Sequence, residues 1–121
     1  MVRDPRVEEL LPVTPRVLLI LWGLAEGPHH GYRLLKITEQ LGRGRVSIGP
    51  ASLYEAIHNL RSKDLIEHSP PPDDTDRADS RRRYFRLTDF GRQVLEAEAE
   101  RVVALAADLR KAKIAAAGRR S

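Results

Sequence analysis

Hydrogen-bonding side chains crowd into one short stretch of this chain, where Ser52, Tyr54, Glu55, His58, Asn59 and Arg61 lie between Ala51 and Lys63. Four arginines follow in a polar segment, Arg77, Arg81, Arg82 and Arg83. These residue types suit nucleic acid: asparagine pairs with adenine, a carboxylate accepts from the cytosine amino group, and arginine or a hydroxyl holds phosphate. They do not suit catalysis, because the chain carries no nucleophile elbow, no phosphate-cradling glycine loop and no HExxH pattern, so no enzyme is expected. The histidines His29, His30, His58 and His68 have no carboxylate partners at ligand spacing, and the chain has no cysteine. Neither a metal nor any other cofactor is expected.

A helix running from after Gly49-Pro50 to about Lys63 would position the first group. Leu53, Ala56, Ile57 and Leu60 then form a buried stripe. At about 100° per residue, Ala51, Glu55, His58 and Ser62 point directly away from it, with Ser52 and Asn59 on one flank and Tyr54 and Arg61 on the other. Leu65–His68 and Tyr84–Leu87 read as two short strands joined by a loop rich in proline and aspartate, and the return strand begins on three arginines. A helix with a polar face followed by a basic hairpin describes a winged helix-turn-helix, mainly α with a two-stranded wing. Asp73, Asp74, Asp76 and Asp79 also allow the plainer reading of a solvated charge run.

The chain has 121 residues, enough for one domain, and its net charge of +4 suits nucleic acid without requiring it. With no signal peptide and no long apolar run, a cytoplasmic location without a membrane partner is expected. Residues 1–13 read as an arm in which Asp4-Pro5 caps a short turn carrying Val7, Leu10 and Leu11 before Pro12 stops it. Residues 14–87 form the winged domain. Within it Thr14-Pro15 starts a helix that is apolar all round, and part of that helix should face a second subunit. A second helix from near His30-Gly31 to about Leu41 should bury Tyr32 or Leu34, with Leu35 and Leu41. Thr88 caps a last helix over 88–117, where Leu95, Val102, Leu105, Leu109, Ala112 and Ala116 form a coiled-coil-like seam for dimerisation. Residues 118–121 read as a basic tail.

His30-Gly31-Tyr32, Ser52-Leu53-Tyr54, Lys63-Asp64-Leu65-Ile66-Glu67 and the run Arg82-Arg83-Tyr84-Phe85-Arg86-Leu87-Thr88-Asp89-Phe90-Gly91 together resemble the PadR-like transcriptional regulators, in the branch with one helix after the wing. The resemblance implies a homodimeric repressor on a palindromic operator, released when a small phenolic or drug-like molecule binds. It also implies DNA contact at Ser52 and Tyr54, to which the residue chemistry adds Tyr32, Ala51, Glu55, His58, Asn59, Arg61, Lys63 and the four wing arginines. Three positions depart from the family: Ala51 and Asp64 stand where glycine is usual, and Glu55 where proline is commoner. The family's drug-stacking aromatic belongs in the last helix, which has only Phe90. An effector would therefore meet Trp22 and Leu18 of the first helix with Val102, Leu105 and Ala106 of the last. Two other readings keep a winged helix: a protein-protein interaction module, and a regulator of the MarR type.

Overall fold

The computed structural model describes residues 2–112. Four α-helices and a small sheet follow the order α1 (Pro15–Gly23), β1 (His29–His30), α2 (Gly31–Gly42), α3 (Pro50–Ser62), β2 (Ile66–Ser69), β3 (Tyr84–Leu87) and α4 (Asp89–Lys111), with a 3-10 helix over Pro5–Leu10 before them. Ala116 of the expected seam, the expected continuation of the last helix to residue 117 and the expected basic tail lie outside the described residues.

The helix starts follow ordinary capping chemistry. Thr14 Oγ1 accepts from the Val17 amide at 3.3 Å and Thr88 Oγ1 from the Gly91 amide at 2.9 Å, each ahead of its helix. Leu53, Ile57 and Leu60 of α3 share one buried core with Ile20, Leu21 and Leu24 of the α1 segment, Leu34 of α2, and Leu65, Ile66, Phe85 and Val94. Gly91 lies against the Leu65 carbonyl, where a Cβ would overlap the backbone oxygen, so α4 can leave the wing at this angle only with glycine there.

The sheet has three strands rather than the two of the expected hairpin. Its order is β1-β3-β2, both pairings antiparallel, with His30 opposite Tyr84 and Glu67 opposite Arg86. A strand of two residues has no periodicity of its own; β1 exists because β3 offers an open edge, which sequence spacing does not register.

The arm is part of the domain. Val7 is fully buried in the core, the Arg6 guanidinium lies 4.2 Å from the Phe90 ring centre, the Asp4 amide donates to Gln93 Oε1 at 2.6 Å, and Arg3 pairs with Glu100 at 3.0 Å. The short turn capped by Asp4 thus straps the first half of α4. Tyr32 does not join the core; it is 54% exposed, and Leu34 takes the buried place. Tyr32 lies two residues before Leu34, about 200° round the helix from it, and so points away from the core.

Candidate nucleic-acid interface

Three elements converge on one face. α3 follows Gly49, which gives no side-chain cap, and Pro50 sits in its first turn. The first-turn amides beside Ala51 and Ser52 are therefore available to an anion. Ala51, Ser52, Tyr54, Glu55, His58, Asn59, Arg61 and Lys63 are all exposed, on the polar side of the helix that buries Leu53, Ile57 and Leu60. Ser62 Oγ turns inward on the helix and donates to the His58 carbonyl at 3.1 Å.

The start of α2 supplies the second element. His30 is buried and caps the helix, its Nδ1 accepting the Arg33 amide at 3.1 Å. Its ring meets Tyr84 edge-on at 5.4 Å and stacks with Tyr32 at 6.5 Å. Burial pushes the His30 pKa down, and the Arg82 and Arg33 cations push the same way against the opposing charge of Asp79. The imidazole is thus held neutral, as an acceptor at Nδ1 requires.

Gly31 explains why two separate tripeptides matter together. A Cβ at Gly31 would run into Tyr54 of α3, with Cε1 and Cζ 2.6 Å from it and the hydroxyl closer still. The His30-Gly31-Tyr32 turn is therefore the seat of the Tyr54 ring, which leaves the phenol half-exposed beside the first turn of α2. Tyr32, also half-exposed, has Lys36 Nζ 5.6 Å and Arg82 Cζ 5.7 Å from its ring centre.

The wing supplies the third element. Arg77, Arg81, Arg82 and Arg83 are exposed between β2 and β3, and Arg81 closes the 3-10 turn Asp79–Arg81. Arg82 Nε donates to Asp79 Oδ1 at 3.0 Å. Arg86 is spent within the sheet on Glu67, its cross-strand neighbour, at 2.8 Å. The interface therefore gathers Tyr32, Tyr54 and Arg82 around the start of α2, while Arg77 belongs to the loop. Sequence reasoning missed Lys36. The signal was its four-residue step from Tyr32, which puts both on one helix face.

The apolar candidates separate into two groups. Leu95 is partly buried against the core, but Val102, Leu105 and Leu109 are exposed, as are Ala106 and Ala112. Val103, absent from the expected seam, is 70% exposed. Trp22 is half-exposed at the rim of a groove of about 350 Å³ whose other walls include Glu26, His29, Arg33, Ile37 and Leu41. Leu18 is half-buried in α1, and neither it nor Val102, Leu105 or Ala106 lines that groove. The expected effector residues are thus not brought together at the Trp22 groove.

Comparison with known proteins agrees with this layout. The model of the transcriptional regulator PadR-like family matches residues 20–97. A 37.1 kDa protein of transposon Tn4556 from Streptomyces fradiae is 39% identical over 88 residues, which cover 73% of this chain but only 23% of that protein. Among solved structures, a PadR-like regulator from Bacillus cereus superposes with a TM-score of 0.66 at 18% identity, covering 92% of this chain and 98% of that one. A PadR family regulator from Eggerthella lenta gives 0.59 at 26%, covering 89% and 85%. Bacillus subtilis PadR in complex with operator DNA gives 0.57 at 21%, covering 71% and 46%.

Proposed function

The chain belongs to the PadR-like family of transcriptional regulators, and from that premise we propose that it is a sequence-specific DNA-binding repressor working as a homodimer on a palindromic operator. The observation that carries the reading is the continuous exposed face made by α3, the start of α2 and the wing, with Tyr54 seated on Gly31 and Arg82 beside Tyr32. In this reading α3 enters the major groove with Ser52, Glu55 and Asn59 toward base edges. Tyr32, Tyr54, Arg61, Lys63, Arg81 and Arg83 hold phosphates on either side. The bound state of the Bacillus subtilis relative supports this use of the shared fold.

Dimerisation through α4 is supported by the exposed stripe of Val102, Leu105 and Leu109, which is unusual on a polar helix surface. A twofold pair sets two recognition helices about 34–36 Å apart, one DNA turn. Release by a small aromatic effector is supported by Trp22, half-exposed at its groove. Binding there acts by shifting the separation of the two α3 helices.

A salt series on a duplex carrying the promoter of the protein's own gene tests the reading. Affinity should fall steeply with salt, and Arg83→Ala should weaken binding to all sequences while lowering the slope of log affinity against log salt by about 1. Affinity that ignores salt, or an Arg83→Ala variant indistinguishable from the parent, overturns it.

A further inference from the structure

The wing loop carries Asp73, Asp74, Asp76 and Asp79 beside a surface meant for a polyanion, a placement that simple charge counting reads as repulsive. Their hydrogen bonds give a different reading. Asp76 Oδ1 accepts the Asp79 amide at 2.8 Å, and the Ser80 amide closes onto the Asp76 carbonyl at 2.9 Å, which fixes the turn Asp79–Arg81. Asp79 Oδ1 then accepts Arg82 Nε at 3.0 Å, while the Arg82 amide donates to the Asp79 carbonyl at 3.1 Å. The Arg82 guanidinium is held on another side by the Tyr32 ring, 5.7 Å away. Among the described residues only Nε is engaged, so both terminal nitrogens remain available on a side chain that is 48% exposed.

We propose that Asp79 is a positioning residue, which Asp76 sets in place, and that it orients Arg82 so that its two terminal nitrogens meet one DNA phosphate as a fork. The inference rests on the DNA-binding reading above. An arginine has a long side chain with several free torsions, and ordering it on binding is costly unless it is already held. A carboxylate on Nε with an aromatic ring beside the guanidinium does this while leaving the fork geometry that matches phosphate. The pair is about half exposed on both sides, so it contributes little to folding stability. Removing Asp79 should therefore change binding and leave the melting temperature nearly unmoved.

The sign of the effect separates positioning from repulsion. If the loop only repels DNA, Asp79→Ala binds more tightly. If Asp79 orients Arg82, the same variant binds a random-sequence duplex roughly threefold to tenfold more weakly despite losing a negative charge. Asp79→Asn keeps an acceptor oxygen and should recover part of that loss. Asp74→Ala, without a bond to any wing arginine, should bind as the parent does or more tightly. In an Arg82→Ala background the Asp79→Ala loss should vanish. Unchanged or tighter binding by Asp79→Ala, or a loss that persists undiminished without Arg82, overturns the proposal while leaving DNA binding intact. A parent protein that binds no duplex at low salt overturns the DNA-binding reading itself, and with it any contact for Arg82 to make.

Discussion

The two halves of α4 both carry apolar residues at three- and four-residue steps, in different surroundings: Phe90, Val94 and Ala97 are buried, whereas Val102, Leu105 and Leu109 are 41–47% exposed. The change falls at Glu98, which is buried and binds Arg101 through Nε at 2.6 Å and Nη2 at 2.8 Å. Up to that point the helix belongs to the winged domain and its arm. Beyond it the helix carries an apolar stripe that nothing among the described residues covers. The exposed face of α3 differs again, being polar and supported by its neighbours, as Tyr54 is by Gly31. One surface is polar and suited to water, and the other leaves apolar area that the proposed dimer would cover.

The sharpest way to break that contrast is Leu105→Glu. A charge in the second half of α4 should leave the monomer folded but abolish the dimer, lowering operator affinity on the order of 100-fold or more because two half-sites no longer bind together. Sedimentation reads the first effect and a duplex titration the second. A variant that stays dimeric and binds normally places the interface elsewhere.

Glu98→Gln tests the boundary itself and should cost roughly 1.5–3 kcal/mol of stability at neutral pH, since it removes charge-assisted bonds to Arg101 from a buried group. The bond to Arg101 holds the Glu98 carboxyl below the usual carboxylate range, with the Val13 amide acting in the same direction against the cost of burial. A depressed folded value means that the unfolded chain takes up the proton first as pH falls. The stabilisation is complete above the ordinary carboxylate range and fades as pH drops through the lowered value. Urea unfolding at several pH values should show the Gln variant losing less stability in acid than the parent. Parallel curves would remove the pair from the account.

On the polar surface, Gly31→Ala should leave the helical content unchanged and weaken DNA binding about tenfold, because the new methyl displaces the end of the Tyr54 side chain rather than backbone. Circular dichroism and a duplex titration check the two halves of that statement; full affinity would show that the Tyr54 seat is irrelevant to binding. The smallest effect belongs to Asp64, which has φ of +65° in the turn between α3 and β2. Asp64→Gly should stabilise the domain by up to about 1 kcal/mol in thermal unfolding, by relieving a left-handed aspartate. A loss of stability would mean that the carboxylate's attraction for Arg6 outweighs the strain.

Much of this was legible because helical periodicity and caps are local. The buried stripe of α3, its exposed face and the Thr14 and Thr88 caps all follow from neighbours in sequence, whereas Asp64 stood out only against the glycine usual in the family. What escaped depends on distant partners. β1 is a strand only because β3 lies beside it, and the arm is ordered only because Phe90 and Gln93 receive it. The expected seam stepped over residue 98, since a carboxylate at an apolar spacing reads as a gap until Arg101 is seen to satisfy it. Tyr54 and Gly31 are far apart in the chain, so their contact has no sequence signature beyond the two tripeptides that carry them.

Hydroxyl-radical footprinting of the parent protein on the promoter of its own gene, at low salt, decides whether two wings and two α3 helices grip one operator. Two protected patches are expected on one face of the duplex, centred about one helical turn apart and related by a palindrome, fading together as salt rises. An unprotected promoter at low salt, or a single patch from a protein that sediments as a dimer, would contradict it.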